Sequence, residues 1–581
     1  MHRAISAQSS HRIPLIIGVA GHRNLCPDDV AALKERVREV FRELRQKLPN
    51  TPLVVLSPLN EGADRLVADV ALEPESGASL IAVLPWPEEI CPEGRCRSGE
   101  RAEFEHLLSR ASDIISVPLN EDENVQPEGL SESEEQRRAQ YRYVGKMIAR
   151  HSQLLIALWD GREAEQSATW RVIQWQRNGV TAPYAARIGE LDDAEPGPIY
   201  HIVTPRSGST RPADALALKL LIPQSPDGEV MKKAAILNVW ERIDRFNQVS
   251  TEIAHRSGEA VQRNKGYVAD EAVAARLPTP LKVLLDYFAL ADTASQEYQN
   301  RTRRTVIWLF VLAFASVISL EVYAHFVPIR PVLLLHLLLL GAGFAWYVLA
   351  QSREIQGRYL DYRAFAEALR VQLFWRWAGL SDSAADHYLR HFRGELDWIR
   401  TAARTCFLMS GCHDGKARPA TASADMLAAM HDVRIRWIED QMNFFTKNGR
   451  RDEESERKFD KAALWSFIAA ILFAVVQLML SELNHLVILL LFASLVVAAM
   501  LEDYADYRAF AVQSRMYHWM AHLYRRANDR LRELLESGAA VTEKEMSTSQ
   551  ALIWELGKEA LAENADWVVQ HRQRPPVWKS A

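Results

Sequence analysis

The chain has no sustained run of Lys and Arg. Its 69 basic and 74 acidic residues are spread along 581 positions and leave a formal net charge of −5. The basic stripe that a phosphate backbone needs is therefore missing, and no nucleic acid is expected as a partner. Cysteine is scarce as well. The five cysteines, at positions 26, 91, 96, 406 and 412, form no CxxC set. Neither Cys91 with Cys96 nor Cys406 with Cys412 has companion ligands at zinc spacing, which argues against a disulfide scaffold and a structural metal site. Reduced thiols on a cytoplasmic face are the expectation. The first thirteen residues lack the apolar core of a signal peptide, so the first hydrophobic hairpin is expected to target the chain. Charge itself is absent from four stretches, 305–320, 332–350, 462–480 and 486–501.

Those four stretches are the membrane signal. At about 1.5 Å rise per residue, sixteen to nineteen residues come close to spanning a hydrocarbon layer of about 30 Å. If residues 322–327 extend the first stretch, Glu321 and His325 sit near the headgroups. Inside the stretches only His336 and Gln477 are strongly polar. Arg301, Arg303 and Arg304 precede the first hairpin and Arg353 and Arg358 follow it, whereas its turn carries only Arg330. Arg457, Lys458 and Lys461 precede the second, Arg508 follows it, and the turn at 481–485 has no Lys or Arg. Both hairpins are thus expected to keep their ends in the cytoplasm, giving a multi-pass protein of the inner (plasma) membrane with the N-terminal domain and the C-terminus cytoplasmic. With 25% charged residues and a mean hydropathy of −0.16, most of the mass must lie outside the bilayer.

The hairpins are copies. Asp-Tyr-Arg-Ala-Phe-Ala occurs at 361–366 and again at 506–511, each time just after a pair of apolar stretches, and Asp397-Trp398-Ile399 echoes Asp566-Trp567-Val568. Tyr359 or Tyr504, Asp361 or Asp506 and Arg363 or Arg508 fall just past the membrane in each copy. They either pair across the two modules or anchor the interface. Phe365 and Phe510 read as core. Four spans without polar stripes do not readily enclose a pore alone, so self-association into a homo-oligomer is expected.

Before the membrane part, strand-like and helix-like segments alternate. The strands are expected at 14–20, 53–58, 79–84, 113–117, 153–159 and 199–204, with helices at 28–47, 62–72, 101–109, 132–151 and 169–178. Strict alternation predicts a parallel sheet covered by helices, with ligands bound beyond the carboxyl ends of the strands. The first strand ends in Gly18-Val19-Ala20-Gly21-His22-Arg23, two glycines for close backbone approach followed by donors suited to phosphate oxygens. The second ends in Ser57-Pro58-Leu59-Asn60-Glu61-Gly62-Ala63-Asp64-Arg65, where a helix start offers amides to an anion and Glu61 offers an acceptor to ribose hydroxyls. Asp64 and Arg65 are candidates too, the alternative for them being a plain helix-end charge pair. The fifth ends at Trp159-Asp160-Gly161, with Thr169 opening the next helix. Three loops on one rim define the candidate site.

GxxGHR, then S-P-L-x-E-G-A-D-R-L-V, then L-P-W-P at 84–87, then LWDG resembles the SLOG superfamily, Rossmann-like domains related to the SMF and LOG proteins, over residues 12–206. The resemblance implies a pocket for a nucleotide or nucleotide-derived molecule. By residue matching it is lined by Gly18, Gly21, His22, Arg23, Ser57, Glu61, Gly62, Ala63, Pro85, Asp160, Gly161 and Thr169. One departure stands out: the Gly-Gly-Thr of many relatives is Ser167-Ala168-Thr169 here, which narrows the approach of the backbone to a phosphate. Each hairpin with its flanking helices is similar to the two-helix SLATT membrane modules that accompany SLOG sensors in bacterial conflict systems.

The expected fold is an α/β Rossmann-like parallel-sheet domain followed by an all-α membrane region with four transmembrane helices in two hairpins and long cytoplasmic helices. The expected division is an N-terminal tail at 1–11, the nucleotide-binding domain at 12–225, a helical linker at 226–280, the first two-helix module at 281–404, a linker at 405–423 and the second module at 424–581. The first functional reading is a membrane-anchored sensor and effector. It binds a nucleotide-derived or NAD-derived signal, needs no cofactor and no catalytic residue, and acts on the bilayer in anti-phage defence. The alternatives are a membrane-tethered N-glycosidase using Glu61, Asp64 or Asp160, as in phosphoribohydrolase relatives, and a ligand-gated channel, since SLOG-like domains also precede melastatin-type channels.

Overall fold

The computed structural model describes residues 12–86, 98–119, 125, 133–163, 167–180, 195–223, 233–388, 394, 396–411, 424–480, 482, 484–536 and 541–573. Cys91, Cys96 and Cys412 lie outside the described residues. The chain divides into two compact units, Met1–Leu290 with Glu367–Pro419, and Ala291–Ala366 with Ala420–Ala581.

The first unit is built on a seven-stranded sheet of order β4-β3-β2-β1-β5-β6-β7. The strands are β1 Leu15–Gly21, β2 Leu53–Ser57, β3 Ser79–Leu84, β4 Asp113–Ser116, β5 Leu154–Trp159, β6 Ile199–Val203 and β7 Leu218–Leu221. The first six are parallel, and β7 pairs antiparallel with β6. The sequence pattern foretold six of these strands. β7 is a four-residue, half-buried edge strand, too short to carry a periodicity of its own. Between the strands lie α1 Val30–Lys47, α2 Ala63–Ala71, α3 Ser98–Arg110, α4 Glu134–His151 and α5 Ala168–Asn178.

Side chains alternate across β1 and so serve two cores. Leu15, Ile17 and Val19 pack with Val37, Val40, Phe41 and Leu44 of α1 and Val67 and Val70 of α2. Ile16 and Ala20 pack on the other face with Val144 and Ile148 of α4 and with Trp170 and Ile173 of α5. Both faces are covered, which is why the central strands read as unbroken apolar runs. The unit also takes in α6 Lys233–Arg256, α7 Gly258–Val268, α8 Glu271–Arg276 and α12 Asp397–Met409. Leu408 joins the second core, and Trp398 lies 6.2 Å from the ring of Phe246.

The second unit is helical. It is drawn from α9 Thr279–His325, α10 Arg330–Ser352, α11 Ile355–Trp377, α13 Ala424–Val433, α14 Asp440–Met479, α15 His485–Arg508, α16 Phe510–Leu535 and α17 Glu543–Arg572, with a π-turn at Arg434–Glu439. Four of its helical stretches are long and apolar enough to cross a membrane. Their large side chains face outward, among them Phe344 at 69%, Trp465 at 68% and Leu478 at 85% exposure. A surface of that kind is stable against lipid rather than water. The polar groups inside the apolar stretches are used locally. His336 Nδ1 lies 2.8 Å from the Ser316 carbonyl and 3.0 Å from its hydroxyl, across the first hairpin. Gln477 Nε2 donates to the Glu482 carbonyl (3.2 Å), and the Asn484 amide donates back to Gln477 Oε1 (3.1 Å), closing the second turn.

The repeated hexapeptide takes two courses. In the first copy the helix breaks at Glu354, with φ +49°, and Asp361–Ala366 then lies within α11. In the second, α15 runs on to Arg508 and breaks inside the repeat at Ala509, with φ +52°. The first copy's polar residues reach the second. Asp361 pairs with Arg572, the Arg363 guanidinium sits 4.9 Å over the Trp567 ring, and Tyr359 meets the same ring edge-on at 5.8 Å. Phe365 and Phe510 are buried, as core residues should be.

Candidate functional site

Strand order reverses at β1. From β1 the chain passes to β2, β3 and β4 on one side, then returns to β5 on the other. The connections after β1 and β5 therefore lead to helices on opposite faces of the sheet, and the carboxyl ends of these strands are the place where open α/β sheets take ligands. His22 stands at this point and is buried. Its amide donates to the Leu158 carbonyl (3.1 Å), its carbonyl accepts from the Ala63 amide (3.0 Å), and its Nε2 accepts from the Asp160 amide (3.0 Å). One residue thus fastens the ends of β1 and β5 to the start of α2. Burial pushes the His22 pKa down against the pull of the Asp160 carboxylate, whose Oδ1 is 3.2 Å away. The ring is held neutral at pH 7, the form in which Nε2 accepts the amide.

The glycines divide by role. Gly62 has φ +84°, and a Cβ there would fall 2.2 Å from the Arg23 carbonyl oxygen and 2.6 Å from that of His22. No side chain fits. At Gly21 a Cβ would meet Ala63 Cβ at 2.3 Å, so this glycine lets α2 approach β1. Gly161 has φ +83°, and among the described residues nothing lies within 4 Å of a Cβ there. Gly18 lies elsewhere. Its Cβ direction points to Ser152 Oγ at 2.3 Å and Ile148 at 2.9 Å, so it accommodates the end of α4 at mid-strand.

The remaining candidates are placed as follows. The Thr169 hydroxyl donates to the Gly21 carbonyl (2.9 Å), and Ser167 caps α5 by accepting from the Trp170 amide (3.4 Å). The Ser-Ala-Thr that replaces two glycines is therefore a helix N-cap. Ser57 is fully buried, donating to the Asp64 carbonyl and accepting from the Leu59 amide, both at 3.2 Å. Asp64 is buried with Oδ2 accepting from Asn60 Nδ2 (2.9 Å), and burial pushes its carboxyl up to about 7. Arg65 is buried, donating to the Leu59 carbonyl (3.1 Å) and pairing with Glu103 of α3 (3.0 Å). Pro85 ends β3, its carbonyl accepting from Gln140. Glu61 and Arg23 are exposed.

His22, Gly21, Gly62, Ala63, Asp160 and Thr169 thus form one contiguous cluster, with Arg23 and Gly161 on its open side. Gly18, Arg65 and Pro85 are directed away from it. Sequence reasoning missed two arginines of this rim. Arg206, in the loop after β6, lies 4.0 Å from Asp160 Oδ2 with its side chain 46% exposed, and Arg162, in the loop after β5, is exposed with Nη2 3.4 Å from the Thr210 carbonyl. Arg206 is brought in by a β-bridge between Leu25 and Arg206. The available signal was a basic residue in the loop past a strand's carboxyl end. Among the described residues, the buried Asp160 Oδ2 has no hydrogen-bond partner, only the ion pair with Arg206 at 4.0 Å. Among the described residues, no three His, Cys, Asp or Glu side chains are placed to hold a metal ion.

Fold and rim together define a class: a doubly wound, Rossmann-like sheet domain in one chain with four apolar helices of membrane-spanning length. No protein-family model matches the chain, and no curated protein matches it.

Proposed function

We propose that the protein is a membrane-anchored sensor and effector whose SLOG-like sheet domain binds a nucleotide or nucleotide-derived molecule at the carboxyl ends of β1 and β5. One observation carries this reading: the loops after β1, β5 and β6 each bring an exposed arginine, Arg23, Arg162 and Arg206, to the rim of the switch point. Guanidinium groups suit phosphate oxygens, and the buried Asp160 Oδ2, which has the Arg206 ion pair at 4.0 Å but no hydrogen bond among the described residues, suits a ribose hydroxyl or a base amino group. In this reading the four apolar helices are two SLATT-like hairpins in the inner membrane, with the sheet domain and the C-terminus cytoplasmic; the basic residues that flank the hairpins support that orientation. Ligand binding biases the packing of the hairpins, and self-association turns that bias into a breach of the bilayer in bacterial defence.

The test is ligand capture by the full-length protein in detergent. Mass spectrometry of co-purified small molecules, followed by thermal unfolding against a panel of nucleotides and NAD derivatives, is expected to find a phosphate-bearing compound that raises the unfolding temperature. Arg206→Gln and Arg23→Gln should each reduce that rise. If no phosphate-bearing molecule co-purifies and none of the panel stabilises the protein, the reading is wrong.

A further inference from the structure

A cavity lies at the end of the sheet opposite the rim. It has a volume of about 480 Å³, within the range of about 300–1,000 Å³ typical of small-molecule sites. Its walls include Gln153, directly before β5, and Pro198, directly before β6, so it opens at the amino ends of strands whose carboxyl ends form the rim. A strand of five or six residues separates the two places by roughly 17–20 Å. The other walls are the first turns of α6 and one face of α12, all within the sheet unit.

This cavity is chemically two-sided. Ile236 and Trp240 of α6, at 9% and 5% exposure, give it an apolar wall. Opposite stand Arg400 and Arg404, one helical turn apart on α12, with side chains 12% and 17% exposed. Both guanidiniums grip one carboxylate, that of Glu195. Arg404 also reaches Asp386 (3.2 Å), which Arg150 holds at 2.6 Å. Glu195 is the most exposed member of the network, at 35%, while Asp386 is at 4%. The deep carboxylate is thus a fixed part of the wall, whereas the outer one occupies a seat that another anion can take. A neutral occupant of that seat would strip two largely buried arginines of their carboxylate and leave their charge uncompensated. The occupant must therefore carry its own negative charge.

The geometry points to a second ligand site for a small organic anion, a phosphate or carboxylate on a planar or aliphatic body. Its charged group replaces Glu195 between Arg400 and Arg404, and its body lies along Ile236 and Trp240. Occupancy there binds α12 to the amino edge of the sheet. The site is independent of the rim.

Calorimetric titration of phenyl phosphate and of benzoate into the full-length protein in detergent tests this. At least one of the two should bind the native protein, and Glu195→Gln should tighten that binding roughly tenfold by weakening the internal competitor. Arg400→Gln should abolish it. Arg404→Lys, which keeps the charge but loses the fork, should weaken it. A Glu195→Gln protein that binds neither probe more tightly than the native chain would overturn the proposal, since a purely structural ion network predicts that result. So would full affinity in an Arg400→Gln protein whose unfolding temperature is unaltered.

Discussion

At the scale of single residues, the rim shows that two glycines with nearly the same φ do different work. Gly62 and Gly161 have φ of +84° and +83°, but only Gly62 is pressed against backbone carbonyl oxygens. Gly161→Ala should cost about 1–2 kcal/mol, the ordinary penalty for a Cβ in a left-handed conformation. Gly62→Ala should cost more than about 3 kcal/mol, because His22 and Arg23 would have to move with it. Thermal unfolding of both variants checks this, and equal losses would refute the assignment. Asp64 gives a pH signature. Its carboxyl stands at about 7 in the folded chain against an ordinary 3.8, so the folded state keeps a proton that the unfolded state has lost. Stability from this group is full below pH 3.8, falls as pH rises, and is lost once pH passes about 7. About three units correspond to an upper bound of about 4 kcal/mol. The lowered pKa of His22 acts in the opposite sense, its contribution fading as pH falls below 6.5. Asp64→Asn removes the first effect and leaves the second, so it should raise the unfolding temperature more at pH 8 than at pH 5. A variant that shifts both temperatures equally would show that burial of this carboxylate is not the cause. Gly62 was legible as the opening of a helix, but it and Gly18 were both read as ligand contacts, because sequence does not tell which face of the sheet a strand glycine serves or what presses against a glycine at a helix start.

At the scale of elements, identical hexapeptides ended in different geometry because their surroundings differ. Asp361, 4% exposed, meets Arg572 from the other copy, while Asp506 is exposed. A double-mutant cycle with Asp361→Asn and Arg572→Gln should give a coupling of about 1–2 kcal/mol, as a largely buried, charge-assisted pair does. Asp506→Asn should change stability by less than about 0.5 kcal/mol. Coupling near zero in the first case would mean that the pair does not hold the modules together. Six parallel strands and their helices were legible because each carries its own period and ends at a turn signal, as β5 does at Asp160-Gly161. β7 and Arg206 were not, since the one is a short edge strand and the other reaches the rim only through the bridge to Leu25. The break at Ala509 was invisible for a related reason. Nothing in Arg-Ala-Phe opposes a helix, and the same residues are helical in the first copy.

At the scale of the whole molecule, the side chains on the four apolar helices leave lipid as their natural surround, and the charges flanking them set a direction. Basic residues gather before and after each hairpin, and the turns between the paired helices hold almost none. Moving such clusters across a membrane is disfavoured, so the turns should face outward and both ends of each hairpin inward. On the proposed orientation the five native cysteines are expected on the cytoplasmic side, where they supply an internal control. A single cysteine at Arg330 or Glu482, in the two turns, should react with a membrane-impermeant maleimide in intact spheroplasts. The native thiols, and a cysteine placed at Thr542 before α17, should react only after lysis, with the buried Cys406 requiring denaturant as well. Because each hairpin brings the chain back to the side from which it entered, one result constrains the other: a labelled Thr542 variant in intact cells would require an odd number of crossings before α17. That outcome would contradict the paired reading of the spans and, with it, the proposal that the sheet domain and the C-terminus share one side of the membrane.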